Sequence, residues 1–395
     1  MHNNTAAITQ PKLTPLILWV MTITTGLVVA NIYYTQPLLG DIAHSFNISN
    51  AQAGRISMFT QLGYAGGLLF IIPLADMLKR KRLMMIDFIF IIASLLATAW
   101  APNLFILSVA SFFLGVSSVI PQVLVPMAAH LAKPEERGKK IGTVMSGLLI
   151  GILLSRTVSG FVGAHLGWRA VFFIAAGVMV ILWLIAFIVL PEVEPEYTGT
   201  YSNLMTSLID LVKKEPVLRI AALRGALGFA CFSAFWATLV FLLKEPQFNM
   251  GSAAAGAFGL VGAFGALAVS AVGRLSDKMD PYQLIIITLI LLLLSFVIFF
   301  FASHSLAMLI IGVIVLDMGV QATHIANQAQ IFALSAEARN RLNTVYMVSY
   351  FIGGSAGTFL ATQLWSSYQW NGVCGIGIIL SIITLIVHLI KGKKK

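Results

Sequence analysis

Apolar runs of about twenty residues recur twelve times along this chain, separated by short polar loops. A helix of that length crosses the hydrocarbon core of a bilayer. Backbone groups left unpaired in hydrocarbon are so costly that helices and closed barrels are the structures that span it. The runs fall at about 16–38, 52–75, 83–101, 104–130, 139–163, 169–190, 217–243, 251–273, 283–302, 305–333, 342–363 and 371–391. They fill the 395 residues and leave no room for a separate soluble domain. Charged residues make up 10% of the chain and hydrophobic ones 58%, whereas a soluble chain carries about 25% charged residues. A soluble enzyme, a nucleic-acid binder and a disordered chain are excluded. The predicted fold is an all-α membrane protein with twelve transmembrane helices.

The net charge of +10 is distributed in a pattern that fixes orientation. Lys79, Arg80, Lys81 and Arg82 lie between runs 2 and 3. Lys133, Arg137, Lys139 and Lys140 lie between runs 4 and 5, and Lys213, Lys214 and Arg219 border run 7. Arg274 and Lys278 follow run 8, Arg339 and Arg341 follow run 10, and the chain ends in Lys391, Lys393, Lys394 and Lys395. The opposite side holds Arg55, Arg169 and Lys244. Basic residues gather on the cytoplasmic side, so both termini are expected there. The first run follows Lys12, is long enough to span, and has no small-residue cleavage pattern. Cys231 and Cys374 each sit in an apolar run without metal-ligand or CxxC spacing, and read as small buried side chains.

The longest polar stretch, about 191–216, divides the chain nearly in half. Within it Leu204, Leu208, Leu211 and Val212 predict a short amphipathic helix lying along the membrane. A shift of 201 or 202 carries Asp76 onto Asp277, Arg137 onto Arg339, Met145 onto Met347, Gly151 onto Gly353 and Trp168 onto Trp370. Two six-helix halves in the same orientation are a parallel repeat. The expected organisation is an N-terminal bundle over 1–194, a linker over 195–216 and a C-terminal bundle over 217–395.

The loops after runs 2 and 8 read IPLADMLKRK (Ile72 to Lys81) and GRLSDK (Gly273 to Lys278). Together with NIYYTQPLL (Asn31 to Leu39), the glycine-rich GLLIGILLSRTVSG (Gly147 to Gly160) and GWR (Gly167 to Arg169), they resemble the major facilitator superfamily, and within it the bacterial drug and sugar efflux members. The chain departs from the family pattern at three places. Ile72 and Lys79 replace the usual glycines of the first loop. The fifth helix lacks the glycine–proline pair of the antiporter motif. Ser111 precedes Gly115 where many proton antiporters carry an arginine. The resemblance implies two bundles related by a pseudo-twofold axis, a central cavity lined by helices 1, 4, 7 and 10, and a monomer. It also implies a cytoplasmic gate in which Asp76 and Asp277 meet Arg80, Gly273 and Lys278.

A charged side chain at the centre of a spanning helix costs about 2.5–3.5 kcal/mol on insertion scales, so it faces the protein interior and marks function. Asp317 lies near the middle of run 10, and Gln321, His324 and Gln328 follow on the same helical face over about 16 Å. A carboxylate that meets two different surroundings in turn can carry a proton, with His324 as a relay. The alternative reading of Asp317 is the permanent partner of a buried arginine or helix end. Arg156 in run 5 and Arg224 in run 7 are those arginines. Each reads as an anion-recognising group, as a partner of Asp317 or as a hub for helix-end carbonyls. Arg224 is expected in the substrate cavity, with Gln321 and Gln328, and Asn31, Tyr34, Gln61, Gln122, Phe232, Trp236, Tyr346 and Tyr350 complete this aromatic, amide-lined cavity suited to amphipathic organic molecules.

No GxxxxGK[ST] loop appears, which removes direct ATP drive. No cofactor, metal or enzymatic constellation is expected. The expected function is alternating-access, proton-coupled efflux of a small organic compound (a drug, sugar or metabolite) across a bacterial-type inner membrane. The rival is proton-coupled uptake of a small organic anion. A polytopic membrane enzyme or sensor is the remote third.

Overall fold

The computed structural model describes residues 13–195, 197, 199–262, 279–335 and 337–392. Every regular element among them is helical. Run 1 becomes α1 (Pro15–Ala30) and α2 (Thr35–Phe46), joined by a tight turn over Asn31–Tyr34. Pro37 has no amide hydrogen to give to the Tyr33 carbonyl, so the helix cannot continue evenly through this point. The turn aims Tyr33 and Gln36 inward. Run 2 is α3 (Asn50–Phe70), which starts on a Ser49/Gln52 capping box, followed by α4 (Ile72–Met77). Then come α5 (Arg80–Trp100), α6 (Leu104–Ser117), α7 (Ile120–Leu131), α8 (Arg137–Leu166) and α9 (Trp168–Val189). The linker carries α10 (Tyr201–Lys214). The second half continues with α11 (Pro216–Lys244), α12 (Ser252–Gly262), α13 (Pro281–Phe301), α14 (Leu306–Phe332) and α15 (Arg339–Lys391).

Among the described residues, 10 segments are long and apolar enough to cross a membrane, and α12 is a shorter apolar helix. The last of the 10 is a double span. Runs 11 and 12 were expected to be separate helices, and instead they follow one another with no loop. The break is a single residue, Gln369, at φ 51° and ψ −140°. The helix α10 forms as expected, but its apolar face is turned to the protein: Leu204 and Leu208 are both buried. The Tyr201 hydroxyl donates to the Phe70 carbonyl at 3.0 Å, and Arg219 caps the end of α10 by donating to the Val212 and Lys213 carbonyls. Ile209 and Val212 are left as its exposed apolar residues.

Two glycines 202 residues apart make matched backbone contacts. In the first half α1 and α8 touch backbone to backbone, since a Cβ on Gly151 would strike Gly26. In the second, a Cβ on Gly353 would strike Ala226 of α11. Gly151 and Gly353 are the pair related by 202 in the sequence. Small residues permit such approach where lipid gives helices no hydrophobic reason to associate.

Among the described residues, four hydrogen bonds join the halves at mid-depth or nearer the face that carries Asn47–Asn50 and Glu245–Gly251, the face expected to be the outer one. Lys244 Nζ donates to Asp41 Oδ1 at 2.7 Å, and Thr157 to the Gly256 carbonyl at 3.0 Å. Ser355 donates to the Met58 carbonyl at 3.1 Å, and Gln61 Nε2 to Thr358 at 3.4 Å.

Candidate functional site

The site grows from Arg156. It stands two thirds of the way along α8, too deep to reach either surface, and is 1% exposed. Its Nε donates to Gln36 Oε1 at 2.7 Å. Its guanidinium lies 4.2 Å from the centre of the Trp236 ring, 4.9 Å from Tyr33 and 5.3 Å from Phe232. Three aromatic faces around one cation are each worth about 0.5–2 kcal/mol when desolvated. The rings come from both halves: Tyr33 from the α1–α2 turn, Phe232 and Trp236 from α11.

Asp317 faces this cage from α14. It is 2% exposed, and its Oδ2 has no hydrogen-bond partner. It acts on Arg156 electrostatically across a gap rather than as a contact ion pair. Gly262 of α12 makes the floor between them: a methyl group there would sit 3.1 Å from Asp317 Oδ2 and 3.3 Å from the Trp236 ring. Three further buried atoms at the cage also lack partners, namely Arg156 Nη2, Gln36 Nε2 and Trp236 Nε1. A buried polar atom without a partner costs about 1–3 kcal/mol. Four such atoms lie at this one place, on side chains from both halves.

The polar face of α14 divides between two places. Asp317 belongs to the cage. His324 Nδ1 lies 3.0 Å from the Tyr346 hydroxyl, and its ring lies 4.9 Å from Tyr350. Gln328 donates to Asn343 at 3.2 Å, and Gln321 is half-buried between the two places. Tyr350 stacks on Phe229 at 4.0 Å and is within electrostatic reach of Asp317.

Arg224 stands apart from Asp317. Its Nη1 is 2.8 Å from His388 Nδ1, and its Nη2 donates to Gln330 at 2.5 Å. His388 Nε2 lies 3.0 Å from the Tyr282 carbonyl. A carbonyl can only accept, so Nε2 carries the hydrogen and Nδ1 accepts from Arg224. Arg224 thereby ties three helices of the C-terminal half together, as a hub.

Of the other expected cavity residues, Asn31 is turned into its own half, where it donates to Met179 Sδ at 3.8 Å. Tyr34 is buried in the α1–α2 turn. Gln61 spans to Thr358, and Gln122 donates to the Tyr64 hydroxyl at 3.5 Å. At the opposite face, the expected gate is described in part. The Asp76 carbonyl accepts from Tyr197, and the Arg80 amide donates to the Val193 carbonyl at 3.3 Å. The Arg80 side chain is buried. Lys79 pairs with Glu194 at 2.8 Å, and that hydrogen bond raises the affinity of Lys79 for its proton. Gly273, Asp277 and Lys278 lie outside the described residues.

Gln36, Tyr33 and Gly262 were not among the residues singled out from the sequence. Pro37 was the available signal for the first two, because a proline one residue after an amide breaks the helix that carries both. His388 and Gln330 were missed because nothing in their spacing relates them to Arg224.

A profile described as the Major Facilitator Superfamily matches residues 21–358 and 271–395. The uncharacterized transporter YgaY of Escherichia coli O157:H7 is 42% identical over 376 residues, covering 95% of each chain. A Pasteurella multocida protein named for sugar efflux is 22% identical over 358 residues, 89% of this chain and 86% of that one. The crystal structure of the nucleoside transporter NupG superposes with a TM-score of 0.76 at 14% identity, covering 97% of this chain and 100% of that one. That last likeness is one of fold.

Proposed function

The chain belongs to the major facilitator superfamily and is a multi-pass membrane transporter rather than an enzyme; on that premise we propose that it couples protons to the export of a small organic compound, a drug, sugar or metabolite. It works as a monomer in the inner membrane, with twelve spans in two six-helix halves and both termini in the cytoplasm. The boundaries 1–194, 195–216 and 217–395 are those of the two halves and their linker. The halves rock about the cage, with Asp76, Arg80, Asp277 and Lys278 forming the gate on the cytoplasmic face.

One observation carries the reading: the unpaired carboxylate oxygen of Asp317, buried at the junction of the halves and facing a buried arginine of the other half. With Asp317 ionised, its charge balances Arg156, and the free polar atoms at the cage are open to substrate. With Asp317 protonated that balance is lost. Proton and substrate thus act on the same few ångströms, which is the condition for exchange. One charge crossing 100 mV supplies about 2.3 kcal/mol. The sugar-efflux relative supports the direction.

The rival, uptake of an organic anion with a proton, is favoured by one atom, the unpaired Arg156 Nη2. Proteoliposomes holding a pH-sensitive dye, placed under a pH gradient and given a mixed panel of sugars, drugs and organic anions, test both. Proton release on adding a neutral compound, abolished in Asp317→Asn while substrate exchange persists, is the expected result. Proton movement unchanged in Asp317→Asn would refute the role of this carboxylate. A response confined to anions would turn the reading to uptake.

A further inference from the structure

Arg156 is a permanent cation at 1% exposure, and its charge decides what else can enter. The guanidinium has one hydrogen bond, to Gln36, and three aromatic faces, which hold it without neutralising it. The described ionisable groups within electrostatic reach of Asp317 are Arg156 from α8 and Tyr350 from α15, and Tyr33 from the α1–α2 turn faces Arg156. On its own helix, His324 stands two turns away beside Tyr346. The described part of α12 contains no ionisable residue, and Tyr282 of α13 stands at the far end of that helix. From α11 come Phe232 and Trp236, whose rings carry no charge. The charge of the cage is therefore set by Arg156 and Asp317 alone among the described residues.

We propose that this pair imposes a charge rule on the cargo: an uncharged polar compound enters with Asp317 ionised, a monoanion enters only together with a proton on Asp317, and cations are refused in both states. The inference rests on the proposed role of Asp317 as the proton site and names the substrate class that role allows. With Asp317 ionised, Arg156 and Asp317 sum to zero, and an uncharged guest keeps the sum at zero. With the proton on Asp317 Oδ2, the sum is +1, and a monoanion on the unpaired Arg156 Nη2 restores zero. A cation leaves +1 in the first state and +2 in the second. An unbalanced charge away from water is what a buried site tolerates least. The unpartnered atoms of the cage fit the same rule: Arg156 Nη2, Gln36 Nε2 and Trp236 Nε1 are donors, which suits oxygen-rich guests, and Asp317 Oδ2 is the one acceptor among these four. The three rings around the guanidinium are already occupied as a cation box, so an organic cation finds its usual recognition elements taken.

Three planar probes of one shape and different charge test the rule: benzoate, benzamide and benzamidine. Binding to the purified full-length protein is followed by quenching of tryptophan fluorescence at about pH 5.5 and about pH 8. Benzamide is expected to bind more tightly at the higher pH. Benzoate is expected to bind at least about tenfold more tightly at the lower pH, and benzamidine to bind least at either. In Asp317→Asn, which keeps the side chain's shape without its charge, benzoate should bind equally at both pH values. In Arg156→Gln, which removes the balancing cation, benzoate should bind weakly at both pH values. Benzamidine binding as tightly as benzoate, benzoate binding unaltered by pH and by Asp317→Asn, or failure of all three probes to bind would each overturn the rule. Thermal unfolding of each variant separates a lost fold from a lost site. The proton-flux assay is independent of this order. Flux lost in Asp317→Asn with the charge order reversed would refute the rule and leave the coupling role standing. The charge order held without any proton flux would do the opposite.

Discussion

Lys244 Nζ and Asp41 Oδ1 lie 2.7 Å apart and join the last turn of α11 to α2. The pair closes over Gly40, where a Cβ would meet Lys244 Cε and Nζ at 2.9 Å. Both side chains are about a third exposed, so the pair is worth about 0–1 kcal/mol. A two-state transporter needs little more, because about 1 kcal/mol shifts a population ratio roughly fivefold. Asp41→Asn and Lys244→Gln should each loosen this face, and Asp41→Lys with Lys244→Asp should restore it. Accessibility of a cysteine placed at this face reads the change. Equal accessibility in the single variants and the swap would mean that the pair has no latching role.

Gly262 should be as sensitive as the Asp317 and Trp236 side chains it touches. A methyl group at 3.1 Å from Asp317 Oδ2 and 3.3 Å from Trp236 is tight, and the neighbours must yield by a few tenths of an ångström. Gly262→Ala is expected to slow transport several-fold without unfolding the protein, and Gly262→Val to abolish transport. Initial rates against thermal stability provide the check. A Gly262→Val protein with normal rates would mean that the floor of the cage is not used.

The backbone contacts of the two halves predict matched losses. A side chain on Gly151 must push α8 from α1 at Gly26, and one on Gly353 must push α15 from α11 at Ala226. Overpacking of this kind costs about 1–3 kcal/mol. Gly151→Val and Gly353→Val should lower the apparent melting temperature by similar amounts. A large loss in one and none in the other would show that the repeat is not mechanical.

The all-helical, apolar character of the chain and the burial of Asp317 were legible in the sequence, because each follows from the cost of polar groups in hydrocarbon. The pairing of Arg156 with Asp317, and of Arg224 with His388 instead, was not. Helical periodicity says which face of a helix a residue occupies, but not which other helix that face meets. Arg224 and Arg156 look alike as lone arginines in apolar runs, and only packing separates a hub from a cage. Gln36 was hidden for another reason. It sits at an irregular turn, where the 3.6-residue period that placed the others no longer holds.

Gln369 and Gly167 are 202 residues apart, each directly precedes a tryptophan, and each has a positive φ, 51° and 84°. The tryptophans anchor the helix after each turn: Trp168 packs on Phe46, and Trp370 donates to the Phe299 carbonyl at 2.8 Å. The chain must therefore turn at the same point in both halves. The first half uses glycine, for which positive φ carries no steric cost. The second uses glutamine, for which such a conformation costs about 1–3 kcal/mol. Glycine's greater freedom in the unfolded chain offsets about 0.5–1 kcal/mol of any gain. Gln369→Gly should therefore stabilise the protein, by up to about 2 kcal/mol, and Gln369→Ala should not, since alanine keeps the strained Cβ. Thermal unfolding in one detergent decides it. A Gly variant no more stable than the Ala variant would mean that Gln369 is not strained.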